Sequence, residues 1–190
     1  GDPSPLKKAL QAIQQLKGRV HAIEHGPIAI VGAGLRFPGG VRDPGSYWDL
    51  LTSGRDAIRE VPPDRWDADA WFDRDADAPG KMSVRQAGFL DDIATFDAAF
   101  FGISPREALE MDPAQRLLLE VAWEALEDAS IAPDSLARTQ TGVYVGLGLS
   151  DYGRRHFLGS DPSRLTAYSG TGTFLSIAAG RVSYTLGLQG

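Results

Sequence analysis

Met111-Asp112-Pro113-Ala114-Gln115-Arg116-Leu117-Leu118-Leu119-Glu120-Val121-Ala122-Trp123-Glu124-Ala125-Leu126-Glu127 is the stretch on which the fold turns. It opens with the grammar of a helix start. A short polar side chain can cap, and proline suits the first helical position, where its missing N–H has no partner to lose. Ser104-Pro105-Arg106-Glu107, just upstream, has the same form, with Glu107 placed to complete a capping box. The helix after Asp112 is expected to run to about Ala129. Leu118, Val121, Ala122, Ala125 and Leu126 form one apolar stripe, which Leu117, Leu119 and Trp123 widen. A helix this apolar should be buried on most sides.

Working outward, Ile28-Ala29-Ile30-Val31 is a short apolar run closed by glycine and reads as a buried strand. Ser46 to Gly54 reads as a short helix with Gly54 as its stop. Residues 61–92, rich in Pro, Asp and aromatics, read as a long irregular surface stretch anchored by Trp66, Trp71 and Phe72. Thr141 to Leu147 reads as an interior strand, and Thr173 to Leu186 as a final apolar helix ending before Gly187. Strands alternate with helices, so the class is α/β.

Composition narrows the function. The 190 residues are 43% hydrophobic and 23% charged, ordinary for a globular domain with a core. A net charge of -6 predicts no broad basic face for nucleic acid and no attraction to an anionic membrane. No apolar run approaches the roughly 20 residues of a membrane span. The opening Gly1-Asp2-Pro3-Ser4-Pro5 lacks the pattern of a signal peptide, so a cytoplasmic location is expected. With no cysteine, the chain can hold no disulfide, no thiolate metal site and no cysteine nucleophile.

Local motifs resolve to bland readings. Gly32-Ala33-Gly34 follows an apolar run as in a dinucleotide fingerprint, but Phe37 stands where the third glycine belongs and Pro38-Gly39-Gly40 would break the phosphate-binding helix. Asp73, Asp75 and Asp77 resemble a calcium loop, yet Ala78 and Val84 occupy the positions that need glycine and glutamate. That reads as a solvated acidic turn. His21 and His25 lie four apart without a third ligand, and His156 has no evident partner. No metal site is expected.

Longer blocks resemble the ketosynthase domains of modular type I polyketide synthases. They are Pro27 through Gly40, Tyr47-Trp48-Asp49-Leu50-Leu51, Asp56-Ala57-Ile58, Val61-Pro62, Arg65-Trp66-Asp67, Phe96 through Ala108, Met111 through Glu127, and Gly180-Arg181-Val182-Ser183-Tyr184 with Gly187-Leu188-Gln189-Gly190. Leu35, where the family often has cysteine, and Gln86-Ala87-Gly88, in place of a glycine pair, are small departures. The resemblance implies that residues 27–190 are the N-terminal half of a thiolase-like αβαβα sandwich, preceded by a helical linker or docking coil over residues 1–26. It implies a homodimer and a decarboxylative Claisen condensation with a malonyl-type extender. The phosphopantetheine arm of an acyl carrier protein would bring the substrates, and no cofactor would be bound directly. The implied partners are the remainder of the domain, the carrier protein, the acyltransferase and other synthase domains, and an upstream synthase polypeptide through residues 5–25.

The family's cysteine nucleophile and two histidines would follow Gly190, so this chain alone is expected to be inactive. By the same resemblance, Leu149, Tyr168 and Thr171 should approach the acyl chain or the partner's tunnel. A docking or dimerisation half-domain and the condensing domain of a fatty acid synthase are the alternatives.

Leu6, Ala9, Ile13, Leu16, Val20 and Ile23 alternate at spacings of three and four, an a/d seam about three heptads long. Lys7, Lys8, Lys17 and Arg19 lie off it. Such a helix either packs on its own domain or forms a dimerising coil. In a parallel coil, position 13 of two protomers would meet face to face. An Ile13→Cys variant of the assembled protein is then expected to form a symmetric disulfide, and failure to crosslink counts against the coil.

Overall fold

The computed structural model describes residues 4–159, 161, 163 and 165–190. The opening Gly1-Asp2-Pro3 read above therefore lies outside the described residues. Two compact units divide the chain, Gly1–Val31 and Gly32–Gly190.

The first unit carries helix α1, Pro5–His25, begun by proline in its first turn and with no buried residue. Its whole seam from Leu6 to Ile23 is exposed. His21 and His25 stack their rings 4.5 Å apart. The run Ile28–Val31 carries no strand pairing and its isoleucines are exposed, so the buried strand read there is not formed. A strand needs a neighbour to take its N–H and C=O groups, and apolar composition alone does not supply one.

In the second unit, helix α2, Pro44–Ser53, starts on a reciprocal box between Asp43 and Ser46 and stops at Gly54, which takes φ 63°. A small antiparallel ladder then joins β1, Ile58–Glu60, to β2, Gln86–Gly88. Neither strand alternates apolar and polar residues, which is why the sequence did not disclose them. Between them lies helix α3, Ala68–Trp71. Trp66 and Trp71 are not anchors, being 42% and 55% exposed. Arg65 ties the stretch down instead by donating to the Leu90 carbonyl at 2.7 Å, while the Arg85 guanidinium lies over the Phe72 ring. The acidic turn is built from its own side chains: Asp73 accepts from the Asp75 N–H and Asp75 from the Asp77 N–H. Among the described residues no group of three or more His, Cys, Asp or Glu could hold a metal.

Helix α4, Pro105–Glu110, and helix α5, Pro113–Asp128, begin where their caps predict. Ser104 accepts from the Glu107 N–H, and Asp112 from the Ala114 N–H. The return half of the capping box is missing, because the Glu107 carboxylate is bonded elsewhere. Of α5 only Gln115 and Leu119 are fully buried, fewer than its apolar stripe suggests. Gly32 and Gly34 lie so close to α5 that a Cβ would run into the carbonyls of Ala125 and Val121. Close backbone packing, not nucleotide binding, explains that pair of glycines.

A 3-10 turn, Pro133–Leu136, leads into residues 141–147. Here burial alternates residue by residue, with Val143 and Val145 half-buried and Tyr144 96% exposed. The period of two is that of a strand with one face on the core. No ladder partner is present among the described residues, so the segment is not the interior strand expected. Helix α6 follows, Asp151–Phe157.

The final apolar helix read over Thr173 to Leu186 is α8, Leu175–Thr185, and a short helix α7, Ser169–Thr173, stands just before it. Ser-Gly-Thr-Gly-Thr is a poor helix former, and Phe174 between them is extended, at ψ 125°. Gln115 Nε2 donates at 3.3 Å to the Phe174 carbonyl, which also accepts the Ile177 N–H that opens α8. The helix ends before Gly187 as read, and that glycine takes φ 65°. Beyond it, Arg138 N–H donates to the Gly187 carbonyl and Gln189 N–H to Thr139, so the last residues run parallel to residues 138–141.

The core is Ile103, Met111, Leu119 and Val182, flanked by Phe96, Phe101, Leu118, Val143 and Leu186. It is small for 159 residues, and Tyr144, Tyr184, Leu109 and Phe100 stand exposed. Residues 27–190 expressed alone are therefore expected to be oligomeric or molten. Light scattering and a thermal melt test this; a monodisperse monomer with a sharp cooperative transition would overturn it.

Candidate functional site

Arg181 organises a largely buried polar cluster. It sits in α8, one residue after Gly180, where no neighbour stands within 4 Å of a would-be Cβ. Its side chain is 10% exposed. Three partners share the guanidinium: Glu107 Oε1 on Nη1 at 2.7 Å, Gln115 Oε1 on Nε at 3.0 Å, and the Thr171 carbonyl on Nη2 at 3.1 Å. A planar fork of fixed donors suits such a three-way tie, and its aliphatic stem covers apolar surface. The ion pair locks α4 to α8, and the carbonyl bond adds α7.

These elements border an open cleft of about 460 Å³ lined by Tyr168, Thr171, Ile177, Gly180, Arg181 and Tyr184, among others. Its wall is mixed: an apolar stretch along α8 and a polar end at Glu107 and Arg181. Tyr168 precedes the first turn of α7, and the Thr171 hydroxyl donates back to its carbonyl at 3.2 Å. The residues read together in the sequence thus separate. Tyr168 and Thr171 share one cavity wall; Leu149 is 82% exposed and not among the cavity's lining residues. Arg181, Glu107 and Gln115 were not read as site residues. Arg181 lies 66 and 74 positions from its two side-chain partners, and the only local signal is a charged residue inside the apolar run of α8.

His156, which has no partner in the sequence, has one in the fold. Its Nε2 lies 3.2 Å from Glu110 Oε2. Across the unit, a second cavity of about 350 Å³ is walled by Arg36, Glu120, Glu124, Phe100 and Trp123. The Arg36 guanidinium grips both oxygens of Glu124. Burial pushes the Glu120 carboxyl above its ordinary range; Arg36 opposes that push and Glu124 adds to it.

Residues 25–190 match the model of the beta-ketoacyl synthase N-terminal domain. The chain belongs to the beta-ketoacyl synthase family. It is 55% identical over 164 residues to a phenolphthiocerol/phthiocerol polyketide synthase of Mycobacterium tuberculosis, covering 86% of this chain and 10% of that one. It is 47% identical over 189 residues to the spectinabilin polyketide synthase system protein NorC of Streptomyces orinoci, covering 97% and 8%. Among solved structures it resembles the oxazolomycin ketosynthase domain OzmH KS7 of Streptomyces albus JA3453, with a TM-score of 0.70 and 38% identity over 85% of this chain and 27% of that one. The ketosynthase from module 6 of the bacillaene synthase of Bacillus subtilis 168 gives 0.67 and 36%, over 85% and 25%. The chain thus spans about a tenth of the curated relatives it matches and about a quarter of these solved ketosynthases. It is an N-terminal ketosynthase segment of the type I polyketide synthase kind, in the thiolase-like α/β class expected, and neither alternative reading is favoured.

The Arg181 tie in this ketosynthase segment is open to a double-mutant cycle. Arg181→Met leaves Glu107 and Gln115 without their donor, and breaking such a pair from one side costs about 3 kcal/mol. The urea midpoint of the intact domain is expected to fall accordingly. Pairing Arg181→Met with Glu107→Leu should recover more than half of the loss; a double-variant loss equal to the sum of the two single losses would show no coupling.

Proposed function

We propose that this chain is the opening part of a ketosynthase that extends an acyl chain by decarboxylative Claisen condensation. The observation that supports it most is the family match over residues 25–190 together with the α7–α8 cavity, which carries Tyr168 and Thr171. In this reading the cavity wall receives the acyl chain in the assembled homodimer. Leu149, away from the cavity, is a contact for the partner protomer.

The chemistry sets what the rest of the domain must supply. A cysteine thiolate displaces the carrier's thiol from the acyl thioester, since a thiolate both attacks and leaves well. A malonyl-type extender on a phosphopantetheine arm loses carbon dioxide. The enolate left behind attacks the acyl-enzyme carbonyl and releases the thiolate. Two histidines from the remainder of the domain assist decarboxylation and stabilise the developing charge. This chain has no cysteine, so alone it forms no acyl-enzyme. Its partners are the remainder of the domain, an acyl carrier protein, the acyltransferase and other synthase domains, with residues 5–25 receiving an upstream polypeptide. The assembly works in the cytoplasm. Among the described residues, no helix is long and apolar enough to cross a membrane.

A labelled acyl thioester series given to the intact synthase tests the reading. The intact polypeptide is expected to take up label and residues 1–190 alone to take up none. Thr171→Trp is expected to lower kcat/KM for long chains by about tenfold or more relative to short ones, since the space of a single methylene is already worth about that much in a fitted pocket. An unlabelled intact polypeptide removes the condensing role, and an unchanged chain-length preference removes Thr171 from the tunnel.

A further inference from the structure

Glu110 ends α4 outside the Arg181 tie, yet one of its carboxylate oxygens serves two other elements. Oε2 accepts from the Ser169 hydroxyl at 3.2 Å and faces His156 Nε2 at 3.2 Å. Ser169, the first residue of α7, is fully buried. Its Oγ accepts from the Thr166 N–H at 2.9 Å, so donation to Glu110 completes its bonding. His156 and Glu110 are 13% and 18% exposed. Ser169 stands between Tyr168 and Thr171, the two cavity residues of this turn.

The backbone adds a second attachment. Asp112 N–H donates to the Gly172 carbonyl at 2.8 Å, and a Cβ on Gly172 would collide with the Glu110 carbonyl. Helix α7 is therefore pinned at Gly172 by main chain and at Ser169 by the Glu110 side chain. With the Ser169 pin removed, the attachments left are at the C-terminal end of α7, the Gly172 carbonyl on Asp112 and the Thr171 carbonyl on Arg181, so the turn that carries Tyr168 loses its hold.

We propose that Glu110 is a positioning residue for acyl-chain selection, holding Ser169 and His156 on one oxygen so that Tyr168 and Thr171 keep their place in the wall. The inference rests on the acyl reading of the cavity. It assigns a selectivity role to a side chain that does not touch the chain it selects.

The test uses the intact synthase and acyl thioesters from two to twelve carbons. Glu110→Ala is expected to change the long-to-short ratio of kcat/KM about tenfold, the scale of an ångström-sized misplacement. Glu110→Gln, whose amide oxygen still accepts from Ser169, should keep the ratio within about twofold of the parent on the same scale. Ser169→Ala removes the same pin from the other side and should reproduce the Glu110→Ala ratio, which guards against a variant that fails to fold. If Thr171→Trp shifts the ratio but Glu110→Ala and Ser169→Ala do not, the positioning role is overturned. If Thr171→Trp also leaves it unmoved, the acyl reading falls and this inference falls with it. Equal effects of Glu110→Gln and Glu110→Ala overturn it too, since acceptance at that oxygen would then not matter.

Discussion

The Asp112 carboxylate, 8% exposed, is the constraint on which the second unit hangs. One oxygen caps α5 through the Ala114 N–H at 2.9 Å, and the other accepts from the Ser150 hydroxyl at 2.7 Å. Its own N–H reaches the Gly172 carbonyl. One residue therefore starts the longest helix of its unit, seats the turn before α6, and holds α7. A carboxylate this deep is tolerable only when its oxygens are bonded, because an unpaired buried charge costs several kcal/mol. Arg116 completes the corner by donating twice to the Met111 carbonyl, and the Met111 side chain is the most deeply buried of the core. Polar satisfaction and apolar packing meet at the same two residues, so the helices on either side cannot shift independently.

What could be read from the sequence follows from the range of the interaction that decides it. The starts of α4 and α5 and the stop of α2 at Gly54 were legible because a cap is made with residues only a few positions away. The break at Phe174 was not. It falls at a residue whose carbonyl accepts both the Ile177 N–H that opens α8 and the side chain of Gln115, 59 positions away. Glu107 shows the same limit: its spacing from Ser104 announces a capping box, and a distant arginine takes its carboxylate instead. Tyr168 and Thr171 were placed by family resemblance, and their cavity by the fold; nothing in the local pattern marks either residue. His156 looked idle because its partner lies 46 positions upstream in a different helix.

The apolar segments expose a different limit. Residues 141–147 alternate as a strand should, and the turn after α8 runs the chain parallel to their approach. Alternation reports which face meets the core, whereas pairing depends on a neighbour that the segment itself does not encode. The same reasoning covers α5. Its apolar circumference is wider than the surface this unit can cover, so most of its leucines are half-buried rather than enclosed. Hydrophobic pattern measures how much burial a segment is built for. In a chain spanning a quarter of its structural relatives, that demand exceeds what the chain itself can meet.

The division of labour around α7 follows from these constraints. Its placement is set by the Gly172 carbonyl on Asp112, the Ser169 hydroxyl on Glu110 and the Thr171 carbonyl on Arg181, while the Thr173 hydroxyl donates within the helix to the Ser169 carbonyl at 2.6 Å. Its lining is set by Tyr168 and Thr171, whose side chains make few bonds beyond the turn. The Tyr168 and Thr171 side chains can therefore change size without removing an anchoring side chain, and Glu110 and Ser169 can be changed without entering the cavity. A helix of five residues with two glycines has little stability of its own. Held from outside by bonded side chains, it becomes a wall whose position is fixed by Glu110 and Asp112 and whose shape is fixed by its own sequence.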